Sequence, residues 1–220
     1  NTNNICLIKK LQYPENFRSS YYLIGSSANM IFKKFDYQTS KGCEIGKRPI
    51  NYHIDFITKF GYKVLFENNI LSVFHTKLVN KQEEIHFEIH KKSVGTTLNS
   101  IILSVKSNKV VYLTGYSKEP YIFDTIQFLI QMGANIEITD KTIKIVGKQI
   151  LRSCNYCIMY DPIETGTYIT LAALLKYYKY PFDLLIGPIE FDSLGKYKIF
   201  LEYIGILFNE NKEKKKYVER

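Results

Sequence analysis

Cys43 lies in the run Gly42-Cys43-Glu44-Ile45-Gly46-Lys47-Arg48-Pro49, a thiol between glycines with two fixed cations close behind. Neighbouring positive charge favours thiolate over thiol and lowers a cysteine pKa from its free value of about 8.5. A group titrating near neutrality gives or takes a proton efficiently at cellular pH. Lys47 and Arg48 suit a phosphate, and a guanidinium can hold one with two parallel hydrogen bonds. The run reads as a reactive cysteine loop beside an anion site, and equally as a surface turn with a spare cysteine. The other cysteines are Cys6, Cys154 and Cys157. Cys154-Asn155-Tyr156-Cys157 has CxxC spacing, but zinc needs a second ligand pair and the sequence offers no comparable one. His86 and His90 fall in an alternating, strand-like run, so the expected metal content is none.

The elements that must carry these residues come from 220 residues, enough for one large domain or two small ones. Four spread cysteines do not form a disulfide framework, which points to a reducing, cytoplasmic compartment. No apolar run approaches the roughly 20 residues of a membrane span. No signal peptide is legible at Asn1, and the absence of an initial methionine places the expected start upstream. The net charge of +9 fits nucleic-acid binding, an anionic small substrate, or simply a lysine- and asparagine-rich coding bias. The lysines are scattered apart from the run Lys212 to Lys216, and no aromatic-basic nucleic-acid signature is present. Neither nucleic acid nor membrane is therefore expected as a partner.

Three segments repeat one pattern: an apolar helical stretch, a glycine, then alternating strand-like residues. The glycines are Gly61, Gly133 and Gly205, each 72 residues after the last. That spacing predicts a duplicated supersecondary unit. In the middle copy Pro120 opens a helix whose apolar face is Ile122, Ile126, Leu129 and Ile130. Gly133 ends it. Ile136 and Ile138, a turn at Asp140-Lys141, then Ile143 and Ile145 predict a hairpin. The first copy runs from Pro49 through Ile54, Ile57 and Phe60, with strands around a turn at Asn68-Asn69. The third runs Tyr197, Phe200, Leu201, Ile204 and frays into the charged tail. Between the first two copies Ser93-Val94-Gly95-Thr96-Thr97 leads into Leu98, Ile101, Ile102 and Val105, a helix capped by Ser93 or Thr96. Such an entry suits a phosphate, though plain capping explains it as well. Asp161 to Thr167 opens another apolar helix, Tyr168 to Leu175. The expected class is α+β, with helices on one face of small sheets.

Taken together these segments resemble the enolpyruvyl transferases, in particular the branch acting on UDP-N-acetylglucosamine. The cysteine run matches that family's cysteine loop, and Ser93-Val94-Gly95 matches its diphosphate-contacting turn. Glu119 to Asp124 with Met132-Gly133-Ala134 matches its middle helix, and Asp161 to Thr167 a signature near the crossing between lobes. The resemblance covers nearly the whole chain. It implies an inside-out α/β barrel built from repeated βαβαββ units, with an incomplete second lobe: residues 1–157 as the cysteine-loop lobe lacking its start, and 158–220 as the first unit of the other. It implies a carboxyvinyl transferase moving enolpyruvyl from phosphoenolpyruvate to the 3-hydroxyl of UDP-N-acetylglucosamine with release of phosphate, the first committed step of peptidoglycan precursor synthesis. The resemblance also implies that the reaction requires no cofactor. Cys43 would be the proton donor to phosphoenolpyruvate, with Arg48 and Arg18 as active-site arginines. Pro49, Asn51 and His53 would line the uridine pocket. Lys91, Ser93, Val94 and Gly95 would cradle the diphosphate, and Glu119 would join the substrate-binding set.

Departures from the family pattern stand beside the matches. Asn51 occupies a position usually held by aspartate, Pro162 replaces an arginine, and Ser40-Lys41 precede the cysteine loop where Pro-Gly is common. The family's N-terminal Lys-Asn pair has no counterpart, and its aspartate base and later arginines would fall beyond Arg220. The expectation is a fragment or split part of an enzyme, with a missing half as a partner. Two other readings stay open: the shikimate 3-phosphate enzyme of the same fold, and a degenerate, non-catalytic nucleotide-binding homologue.

Overall fold

The computed structural model describes residues 10–11, 21–28, 34–38, 50–75, 84–147, 150–180, 194 and 196–203. The chain divides into two compact units, Asn1–Lys118 with Thr125–Tyr156, and Glu119–Asp124 with Cys157–Arg220.

The first unit carries one motif twice. The first pass is β1 (Lys10–Leu11), α1 (Leu23–Ala28), β2 (Lys34–Gln38), α2 (Asn51–Lys59), β3 (Tyr62–Glu67) and β4 (Ile70–His75). The second is β5 (Glu84–Glu88), α3 (Val94–Val105), β6 (Val110–Thr114), α4 (Pro120–Gln131), β7 (Asn135–Ile138) and β8 (Thr142–Val146). Helix α4 crosses the division, its first residues belonging to the second unit. The sheets have matching orders, β1-β2-β4-β3 and β5-β6-β8-β7. In each, the first two strands run parallel and the last strand pairs antiparallel with its hairpin partner. A parallel pair needs a crossover, and α1 and α3 supply it.

Local chemistry accounts for these boundaries. Gly61 (φ 108°) and Gly133 (φ 96°) take left-handed conformations just past α2 and α4, the geometry that ends a helix with its last carbonyls bonded. Ala134 N–H reaches back to Leu129 O at 2.9 Å, and Gly133 N–H to Ile130 O at 2.8 Å. Asn68 and Asn69 both hold positive φ, 50° and 61°, as a two-residue hairpin loop with the right twist requires. The expected 72-residue period is thus realised in two full copies, whereas Ile204 and Gly205 lie outside the described residues.

Each sheet turns one face to helices. On the second sheet Ile85, Val111, Leu113, Ile143 and Ile145 are buried while Glu84, His86 and Glu88 point outward. On the first, Phe35, Tyr37, Leu71 and Val73 are buried, and Phe56 and Ile57 of α2 join the same core. Ile122 and Ile126 of α4 are fully buried, but Ile130 is exposed, so the helical face is narrower than its periodicity suggests.

In the second unit the helix α5 (Pro162–Tyr177) starts in the opening run Asp161 to Thr167, as expected. Asp161 caps it, accepting from the N–H groups of Ile163 and Glu164, and Pro162 occupies the first turn where no N–H is needed. Tyr168, Leu171 and Leu174 are each exposed, and only Thr165 and Gly166 are buried. Helix α6 (Lys196–Tyr203) packs against α5 through Tyr197, whose hydroxyl donates to Gly166 O at 3.2 Å and lies 2.8 Å from Thr170 Oγ1. Among the described residues no helix is long and apolar enough to cross a membrane.

Candidate functional site at the starts of helices α2 and α3

Helices α2 and α3 bring their N-terminal turns together. His53, in the first turn of α2, is buried against Gly95, in the first turn of α3. A β-carbon added to Gly95 would stand 3.0 Å from His53 Cε1 and 3.1 Å from Nε2, so any larger residue would push the ring away. Two helix starts in contact place two sets of N–H groups outside the helical ladders, and two positive dipole ends, beside one another. Such a place favours an anion.

The start of α3 is tightly specified. Ser93 is its N-cap, and its Oγ accepts from Thr96 N–H at 3.3 Å and from Thr96 Oγ1 at 3.0 Å. Thr97 Oγ1 donates to Ser93 O at 2.8 Å and accepts from Ser117 N–H at 3.1 Å, tying the turn to the loop after β6. Capping therefore occupies the Ser93 hydroxyl and the Thr96 and Thr97 N–H groups. The N–H groups of Val94 and Gly95 have no acceptor within the helix.

The approach to this turn is strained. Ile89 is buried and its N–H bonds Thr114 O at 2.8 Å, which anchors the chain as it leaves β5. Lys91 (φ 57°) and Lys92 (φ 47°) then take left-handed conformations in succession, each unfavourable for a residue with a β-carbon. Both are exposed, so the turn presents two ammonium groups just ahead of the helix start. Tyr52 of α2 lies beside His90, ring centroids 6.4 Å apart, which links the two helix entries a second time.

Behind the site sits Asn99, buried one turn into α3. Its Nδ2 donates to Tyr21 O at 2.9 Å and lies 2.8 Å from His53 Nδ1, while its Oδ1 accepts from Gly25 N–H at 3.0 Å. Tyr21 also stacks beside His53, centroids 6.2 Å apart. Sequence reasoning passed over Asn99. The available signal was an amide side chain four positions after Gly95 in a helix whose other side chains are apolar or small hydroxyls.

Of the expected site residues, His53 and Gly95 are brought into contact, Ser93 and Val94 form the same turn, and Lys91 leads into it. Asn51 is exposed as the first residue of α2. Glu119 belongs to the other unit, where its carbonyl accepts from Ile122 N–H at 2.9 Å at the start of α4. Arg18, Cys43, Arg48 and Pro49 lie outside the described residues. Cys154 and Cys157 are free thiols in a segment that is neither helix nor strand. Two tyrosines away from the site have raised pKa values. Burial pushes Tyr62 up to about 12. Burial and then the charge of Asp140 raise Tyr116.

The sequence and fold have counterparts. Residues 30–179 match the model of the family described as EPSP synthase (3-phosphoshikimate 1-carboxyvinyltransferase). UDP-N-acetylglucosamine 1-carboxyvinyltransferase 3 of Caldanaerobacter subterraneus is 38% identical over 157 residues, 71% of this chain and 36% of that protein. UDP-N-acetylglucosamine 1-carboxyvinyltransferase 2 of Clostridium acetobutylicum is 36% identical over the same shares. The chain thus spans just over a third of the length of these curated relatives. Among solved structures, the enolpyruvyl transferase NikO from Streptomyces tendae superposes with a TM-score of 0.58 at 16% identity, over 71% of this chain and 36% of that one. EPSP synthase from Acinetobacter baumannii gives 0.52 at 16% identity, over 70% and 35%. The mixed α/β arrangement is part of the fold those two enzymes share. With the family model matching well over half of its residues, this chain belongs to the enolpyruvyl transferase family.

Proposed function

We propose that the paired starts of α2 and α3 bind the uridine diphosphate end of UDP-N-acetylglucosamine, and that the chain is the cysteine-bearing part of a UDP-N-acetylglucosamine 1-carboxyvinyltransferase. The observation that carries this is the close approach of His53 to Gly95, which joins two helix N-termini beside a lysine turn. In this reading Lys91 and the N–H groups of Val94 and Gly95 hold the diphosphate, with Ser93 shaping the turn. Pro49, Asn51 and His53 line the uridine, and Glu119 contributes to the substrate pocket. Both substrates are anionic, and preorganised N–H groups and cations stabilise charge where it develops.

The chemistry falls to the cysteine loop. The 3-hydroxyl oxygen of the acceptor bonds to C2 of phosphoenolpyruvate, its proton passing to the aspartate base expected on the remaining polypeptide, while a proton from Cys43 reaches C3, giving a tetrahedral adduct. Return of a C3 proton to the Cys43 thiolate and cleavage of the bond between C2 and the phosphate oxygen then release phosphate and leave the enolpyruvyl ether. Arg48 and Arg18 would balance the phosphate charge. We place the cysteine-loop lobe of the inside-out barrel at residues 1–157 and the start of the other lobe at 158–220, completed by further polypeptide. The free thiols of Cys154 and Cys157 suit a reducing, cytoplasmic setting.

The names of the relatives favour UDP-N-acetylglucosamine as acceptor. The family model's description keeps shikimate 3-phosphate as the second reading. Phosphate release from phosphoenolpyruvate, measured on the polypeptide as its source produces it, decides between them. Release that depends on UDP-N-acetylglucosamine and on Cys43 supports the proposal. Release only with shikimate 3-phosphate transfers the assignment to the second reading, and release with neither acceptor overturns both.

A further inference from the structure

We propose that Asn99 is a positioning residue that locks His53 as the neutral tautomer carrying its proton on Nε2. The amide of Asn99 has only one workable orientation. Gly25 N–H, 3.0 Å from one end, needs an acceptor there, and Tyr21 O, 2.9 Å from the other end, needs a donor. Reversing the amide would set donor against donor and acceptor against acceptor in a buried place, where each unsatisfied group is costly. The Nδ2 group therefore carries both hydrogens on the His53 side, one for Tyr21 O and one for the ring. His53 Nδ1, 2.8 Å away, must accept. A ring nitrogen that accepts holds no proton, so in the neutral imidazole the proton sits on Nε2.

The ring edge bearing Nε2 is the one against Gly95. The lock thus sets a hydrogen-bond donor beside the start of α3, next to the N–H groups of Val94 and Gly95. An oxygen acceptor, phosphate or carbonyl, is the matching ligand chemistry. This ligand role rests on the nucleotide-binding reading above, whereas the tautomer assignment stands on the hydrogen bonds alone. Asn99 reaches its three partners across 46 to 78 residues of sequence, so it also pins α1, α2 and α3 to one another at the site.

Nitrogen-15 spectra of the imidazole rings in the full 220-residue chain test the assignment. His53→Gln identifies the His53 signals, and exposed His90 serves as an internal reference. The expected result is a protonated Nε2 and an unprotonated Nδ1 for His53. A proton on Nδ1, or averaging between the two ring nitrogens, overturns the proposal. Asn99→Asp replaces the donor with an acceptor of the same shape and should move the proton to Nδ1. An unchanged Nε2–H tautomer in a folded Asn99→Asp chain would overturn the role of Asn99. Titration with UDP-N-acetylglucosamine gives the second arm. Asn99→Leu should weaken binding about tenfold, the scale of one buried hydrogen bond. Undiminished affinity in that variant contradicts positioning for the ligand. Absence of binding by the native chain with the Nε2–H tautomer intact would overturn the nucleotide reading and leave the tautomer assignment supported.

Discussion

Helices α3 and α5 begin alike and are used differently. Each has a capping residue, Ser93 or Asp161, and each has a glycine in its opening turns, Gly95 or Gly166, against which an aromatic ring packs. At Gly166 the ring is Tyr197. Its hydroxyl is bound to the Gly166 carbonyl and placed beside Thr170, so glycine, ring and hydroxyl together fasten α5 to α6. At Gly95 the ring is His53. It is held from behind by Asn99, and its Nε2 edge lies at a helix start led by two strained lysines. The same small residue serves a structural lock in one unit and a prepared polar surface in the other. What separates them is the atom at the ring edge and the charge around it, not the glycine.

Replacing the two glycines by alanine breaks the comparison most sharply. A β-carbon on Gly166 would overlap the Tyr197 ring. Gly166→Ala should therefore lower stability by about 3 kcal/mol despite alanine's better helix propensity, read as a fall in the thermal midpoint. Gly95→Ala asks the His53 ring to move by only a few tenths of an ångström. Its stability should change by less than ~1 kcal/mol, while affinity for UDP-N-acetylglucosamine falls about tenfold in a calorimetric titration. Equal losses of stability at both positions would erase the distinction.

A smaller effect sharpens the account of the lysine turn. Lys91→Gly removes a β-carbon from a left-handed position, and should raise stability by about 0.5 kcal/mol in denaturant melts. The same change should weaken nucleotide binding severalfold, less so at high salt, because an exposed cation is screened. Stability bought at the expense of binding is the signature of strain kept for a ligand.

The smallest effect is a pH dependence just past the end of α2, in the first unit. Tyr62, stacked on Phe60 beyond the far end of α2, has its pKa raised to about 12 by burial. The unfolded chain ionises this phenol near its ordinary value of about 10. The stability it contributes is complete below pH ~10 and declines as the pH rises towards 12. Chemical denaturation of the native chain should show that decline, and Tyr62→Phe should reduce it.

Much of the fold is legible in local sequence because its signals are local. The glycines past α2 and α4, the Asn68-Asn69 hairpin and the caps Ser93 and Asp161 all act through their own backbone neighbourhood. The 72-residue period is legible for a related reason: each pass of the motif repeats the same local chemistry. The site is less so. Ser93, Val94 and Gly95 mark a helix start in the sequence, but nothing local says that His53 packs on Gly95. Asn99 is further from reach, since its partners Tyr21, Gly25 and His53 are set only when three helices have met. The left-handed Lys91 and Lys92 come just after Ile89, which is anchored to Thr114 across the sheet, and no residue type at either position announces them. Likewise the exposure of Ile130 and of the apolar residues of α5 depends on what packs nearby, which periodicity does not encode.

The claim that joined helix starts form the nucleotide site is tested most directly by amide chemical shifts of the 220-residue chain titrated with UDP-N-acetylglucosamine. The account predicts saturable shifts largest at Val94 and Gly95, with Asn51 and His53 next. Shifts confined to other residues, or none at saturating ligand, would contradict it.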